Sequence, residues 1–151
     1  MAELFDPEVR TFFFVMLASC LYGLWRGRLP ERVTAVSLLL AWFATQFVHS
    51  HDFSSVQYAI LGVDLILLVI LVGLALLSGR RWLMAASALH VLTVADHIAT
   101  AMDFQIRSYA YLTAIVIWGY AVLLALVLGT WLEAEPERRR LKAQAEAPAP
   151  G

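Results

Sequence analysis

The sequence is short of almost everything a water-soluble enzyme uses. Of its 151 residues only 15% are charged, five are proline and one is cysteine. A lone cysteine, Cys20, excludes any disulfide within the chain, and its place inside an apolar run suits a small buried hydrophobe. A formal net charge of −1 leaves no basic surface for nucleic acid. The cations of the last segment, Arg138, Arg139, Arg140 and Lys142, are interleaved with glutamates and read as a solvated stretch rather than a lipid-binding patch. Neither a Gly-rich phosphate loop, a nucleophile motif nor H-E-x-x-H occurs, so no motif marks an enzyme. The missing C-x-x-C-H excludes c-type haem attachment. A basic leader followed by a small-residue cleavage pattern is also missing, and the first apolar run is therefore expected to stay in the mature protein.

What the chain has is apolar length. Hydrophobic residues make up 61% of it and the mean hydropathy is +0.73, values that belong to proteins of the lipid bilayer. Five runs, 9–25, 33–50, 56–78, 82–102 and 108–132, approach the roughly 20 residues that a helix needs to cross the hydrocarbon core. Asp6, Pro7 and Glu8 form a cap, a first-turn proline and an acidic first turn for the first run. Gly27 with Pro30, and Ser78 with Gly79, separate later ones. After Leu132 the composition turns charged and rich in Ala and Pro, without an apolar face. The expected fold is all-α: a polytopic membrane protein with an antiparallel bundle of five transmembrane helices over 1–132 and a disordered cytoplasmic tail over 133–151.

Charge sets an expected direction. With five spans the termini fall on opposite sides, and the eleven Lys and Arg divide into nine (Arg26, Arg28, Arg32, Arg80, Arg81, Arg138, Arg139, Arg140, Lys142) and two (Arg10, Arg107). The cation-rich side is expected to be cytoplasmic, with the N-terminus outside. Trp25, Trp82 and Trp131 fall at the cytoplasmic ends of spans, and Tyr58, Tyr109 and Tyr111 at the outer ends, where interfacial aromatics belong. Short loops and a lean tail suit the inner membrane of a bacterium. Ala110, Ala114, Ala121 and Ala125 on the last span, and Ser19 with Gly23 on the first, mark seams where helices can approach closely, or a dimer contact in the case of Ser19 and Gly23.

The stretch "HVLTVADHIATAMD", His90 to Asp103, places ionisable groups at membrane depth. At about 100° per residue, His90, Thr93, Asp96, His97, Thr100 and Asp103 share one face of a helix, opposite Val91, Leu92, Ala95 and Ile98. Such groups cost several kcal/mol in hydrocarbon unless partnered, so the face is expected to look inward. Asp64 on the third run falls between His90 and His97 in depth, and Gln57 extends its polar face outward. His49, His51 and Asp52 lie at the outer end of the second run.

Four readings follow. The cluster of Asp64, His90, Thr93, Asp96, His97 and Thr100 can hydrogen-bond across helices and fix their register, making the chain a structural or accessory subunit of a homo-oligomer or larger membrane complex. It can hold a transition metal or a b-type haem through His49, His51, Asp64 and His97, with His49 and His97 as the depth-matched axial pair. His90 and His97, about 10 Å apart along the helix, cannot share one ion. The same groups can relay protons or ions in an oligomer, although Leu, Val and Ala dominate between His90 and Arg80. An enzyme acting on a membrane substrate through His or Asp is the fourth.

Overall fold

Each apolar run becomes a helix. The computed structural model describes the backbone of residues 7–48, 53–102 and 109–146, and the side chains of 9–47, 58–99 and 113–134. Its elements are α1 (Pro7–Arg26), α2 (Leu29–Val48), α3 (Phe53–Ser78), α4 (Arg81–Met102) and α5 (Tyr109–Glu146). Asp6, expected to cap α1, lies outside the described residues.

Local chemistry explains the tight turn between α1 and α2. The Gly27 amide donates to Gly23 O at 2.9 Å, ending α1, and Arg32 Nε donates to Gly27 O at 3.0 Å. Pro30 does not break the chain here. It sits in the first turn of α2, where its missing N–H has no helical acceptor to lose, so α2 begins at Leu29 rather than at 33. Glu31 reaches back to accept the Arg28 amide at 2.9 Å, half of a capping box. Between α3 and α4, Gly79 adopts a φ of 64° and donates to Ala75 O at 2.9 Å; this left-handed cap is the conformation that favours glycine.

The helices pack in chain order into a ring. Each touches its neighbours in sequence, α5 closes on α1, and α2 meets α5 across the middle. The core at the centre includes Met16, Cys20, Ala35, Leu71, Leu83 and Leu126. A Cβ added at Gly23 would lie 3.5 Å from both Ala35 and Leu126, so the seam at Ser19 and Gly23, both buried, faces α2 and α5 inside the chain and is closed to a dimer partner.

Three helices are long and apolar enough to cross a membrane among the described residues: Tyr58–Ser78, Arg81–Ala99 and Thr113–Ala134. Five had been expected. α1 and α2 have the length, 20 residues each, but Arg10 and Arg26 bracket the apolar stretch of the first and lower its hydropathy, and Glu31, Arg32 and Gln46 lower that of the second.

Two expectations are corrected. The segment 133–146, expected to be disordered, continues α5 as helix to Glu146. Its Glu, Ala, Arg, Leu, Lys and Gln residues are strong helix formers and prolong an existing helix without a new nucleus, despite Pro136. At about 1.5 Å per residue the 38-residue helix is longer than the ~30 Å thickness of a hydrocarbon core. Trp82 is not an interfacial aromatic. It is buried with its ring against Gly129 of α5, so closely that a Cβ there would collide with it, whereas Trp25 and Trp131 are exposed.

Candidate functional site

The polar face of α4 is anchored on α3 through one residue. A helical Cα–Cβ bond tilts toward the helix N-terminus, while the carbonyl points the other way. In antiparallel α3 and α4, the Asp64 side chain therefore leans toward the His97 level and its carbonyl toward His90. His97 Nε2 lies 2.8 Å from Asp64 Oδ2, and His90 Nε2 lies 3.1 Å from Asp64 O. Carboxylate and carbonyl oxygens accept, so both histidines carry their hydrogen on Nε2. The Asp64 carbonyl can take the His90 bond in addition to its helical one because it has two lone pairs. From His90 Nε2 to Asp64 Oδ1 the distance is 3.8 Å, beyond hydrogen-bond reach.

Burial matches this pairing. Both histidines are buried and the Asp64 side chain is only 15% exposed. Thr93, between the histidines on the same face, is also buried, and its Oγ1 has no hydrogen-bond partner among the described residues. Val91, Leu92, Ala95 and Ile98, on the opposite side, are exposed.

Among its described residues the face makes contacts with two different helices. Asp96, half-buried, turns to α5 and accepts Trp118 Nε1–H at 3.0 Å on Oδ2. So α4 makes polar contacts on two sides, His90 and His97 to α3 and Asp96 to α5. Trp118 was not anticipated from sequence, where it reads as one more aromatic in an apolar span. The side chain of Thr100 lies outside the described residues, as do His49, His51, Asp52 and Asp103. Of the metal or haem set, Asp64 and His97 meet. Among the described residues no three His, Cys, Asp or Glu side chains converge where they could hold an ion.

A second polar centre, not anticipated from sequence, lies at the opposite end of α4. Glu31 is fully buried and forms a salt bridge with Arg80 Nη1. Glu133 Oε2 of α5 lies 3.9 Å from the same Nη1. One guanidinium in the α3–α4 turn thus joins α2 and α5. Close by in sequence are two more buried polar atoms without a hydrogen-bond partner among the described residues, Thr34 Oγ1 and Trp82 Nε1. The signal that could have found this centre was Glu31 itself, an acid opening an apolar helix on the cation-rich side.

No protein family, curated protein or solved structure matches the chain.

Proposed function

We propose that this chain is an integral protein of the bacterial inner membrane with all five helices spanning, the N-terminus outside and the C-terminus cytoplasmic. In this reading it is a structural or accessory subunit of a homo-oligomer or larger membrane complex, and its buried His/Asp pairs fix the order and register of the helices. Support for α1 and α2 as spans comes from their outward faces: Phe14, Leu21, Leu40, Phe43 and Phe47 are exposed while Ser19, Glu31 and Thr34 are buried. Apolar outside and polar inside is the arrangement that lipid favours and water does not. The ends carrying Arg26, Arg28, Arg32, Arg80 and Arg81 belong to one end of the bundle, since Arg80 touches Glu31, which supports a single cytoplasmic face.

The observation that carries the reading is Asp64 held by two histidines of the next helix. Such contacts contribute about 1 kcal/mol each between helices in lipid and select one packing over its neighbours. The test is thermal unfolding of the purified protein in lipid nanodiscs. Asp64→Ala should lower the midpoint while leaving the helix content intact at low temperature. An unchanged midpoint would remove the structural role.

A further inference from the structure

The buried polar groups of α4 do not stop at His90. Stepping inward by three or four residues along one face gives His97, Thr93, His90, Ser87, Leu83 and then Arg80 at the turn. His97, Thr93, His90 and Ser87 are all buried, and so is Leu83, which interrupts the stripe. Ser87 Oγ donates to Leu83 O at 2.8 Å, leaving its lone pairs free to accept. Arg80, where the stripe ends, is bound to the buried Glu31.

Two hydroxyls, Thr93 Oγ1 on this face and Thr34 Oγ1 one turn from Glu31 on α2, are buried without a hydrogen-bond partner among the described residues. In a low-dielectric interior each such group costs about 1–3 kcal/mol, and buried water is the usual means of satisfying it. Measured from the Arg80 and Glu31 end toward the middle of the bundle, Thr34 lies one turn beyond Glu31, about 4.5 Å at the helical rise, and Ser87 about 10 Å beyond Arg80. The remaining axial gap of about 6 Å, beside Leu83, is within the reach of two waters.

We propose that the inner face of α4 is a proton path through the bundle, running from His97 and Asp64 past His90 and Ser87 to Glu31, with waters held on the Thr93 and Thr34 hydroxyls. A proton taken up on Nδ1 of His97 releases the one on Nε2 to the Asp64 carboxylate, so the imidazole stays neutral. Asp64 Oδ1 is too far from His90 for direct transfer, at 3.8 Å, and the water on Thr93 carries the proton across. His90 keeps its Nε2 hydrogen on the Asp64 carbonyl, takes the incoming proton on Nδ1 as a transient imidazolium, and gives it up from Nδ1 to waters at Ser87 and Thr34, which pass it to the Glu31 carboxylate for release at the cation-rich end. Ring reorientation of His97 resets the path, and each group returns to its starting charge.

This inference rests on the membrane reading above but not on the stabilising role of Asp64. Its test is proton flux into proteoliposomes holding the full chain, driven by a valinomycin-imposed potassium diffusion potential and read with an internal pH dye. Flux should exceed that of empty liposomes and fall to their level in Asp64→Asn. It should slow about tenfold in Thr93→Val, the rate cost of one lost hydrogen bond, and recover in Thr93→Ser. Thr45→Val removes a hydroxyl that donates to Ala41 O on α2, off the path, and should leave flux unchanged. Flux equal to that of empty liposomes, or Thr93→Val equal to the parent with its melting midpoint unchanged, overturns the proposal. In the first case a lowered midpoint in Asp64→Ala would leave the structural reading standing. Flux through the parent with no such lowering would have the opposite meaning.

Discussion

Asp64 binds two histidines of α4 through chemically different oxygens: its carboxylate takes His97 at 2.8 Å and its main-chain carbonyl takes His90 at 3.1 Å. Only the first bond depends on the side chain of Asp64. A substitution there removes the link to His97 and leaves the link to His90 in place, so the two halves of the clasp can be separated by experiment.

A double-mutant cycle exploits that difference. Asp64→Ala combined with His97→Ala should show a coupling of about 1 kcal/mol in unfolding free energy, the size found for interhelical hydrogen bonds in lipid. Asp64→Ala combined with His90→Ala should be close to additive. Equal coupling in both cycles would mean that His90 responds to the carboxylate at 3.8 Å rather than to the carbonyl.

At the opposite end, Arg80 and Glu31 are unequal partners. Glu31 is fully buried and the Arg80 side chain is 15% exposed. Arg80→Ala leaves a carboxylate in the interior without its cation and should destabilise by about 3–5 kcal/mol. Glu133→Ala should change stability by less than about 1 kcal/mol, because that carboxylate is 37% exposed and 3.9 Å from the guanidinium. Chemical unfolding in detergent, read by tryptophan fluorescence, checks the order of the two effects. A larger loss in Glu133→Ala would assign the role of Arg80 to α5 instead of α2.

What could be read from the sequence was periodic, and what escaped it was pairwise. The helical runs and the shared face of His90, Thr93 and His97 follow from spacing of about 100° per residue, which one chain segment contains in full. That Asp96 turns away to Trp118 depends on where α5 packs, and no spacing within α4 records it. The same holds for Arg80 and Glu31, which are 49 residues apart. Ser87 escaped notice because serine bonded to its own helix is unremarkable in a span; only its burial in line with His90 and Thr93 gives it meaning. Trp82 was misread because tryptophan near a helix end suits an interface equally well, and the deciding residue, Gly129, is on another helix.

Gly129 and Gly73 offer a matched contrast. A Cβ at Gly129 would collide with the Trp82 ring, so Gly129→Ala must displace a buried indole and should cost about 1–3 kcal/mol. At Gly73 nothing lies within 4 Å, and the helical propensity of alanine should make Gly73→Ala neutral or stabilising by up to about 1 kcal/mol. Thermal melts of both variants decide it. Tolerance at both sites would show that Trp82 can leave its place against α5.

The direction of the chain in the membrane can be read by cysteine labelling in intact cells. Cys20 is fully buried among apolar residues, so Cys20→Ala supplies a background free of native thiol without burying a hydroxyl. On that background Ser54→Cys, in the first turn of α3, and Ser78→Cys, at its last residue, probe the two ends of a helix long and apolar enough to cross a membrane. The concentration of cations beside Ser78 predicts that a membrane-impermeant maleimide labels Ser54→Cys in intact cells and reaches Ser78→Cys only after permeabilisation. The opposite pattern would place the cation-rich end outside. Labelling of both positions in sealed cells would mean that α3 does not cross the membrane. In that case the exposed apolar faces of α3 and α4 would have to be covered by protein instead of lipid, because Ile66, Val69, Leu76 and Leu77 are too extensive a patch to leave in water.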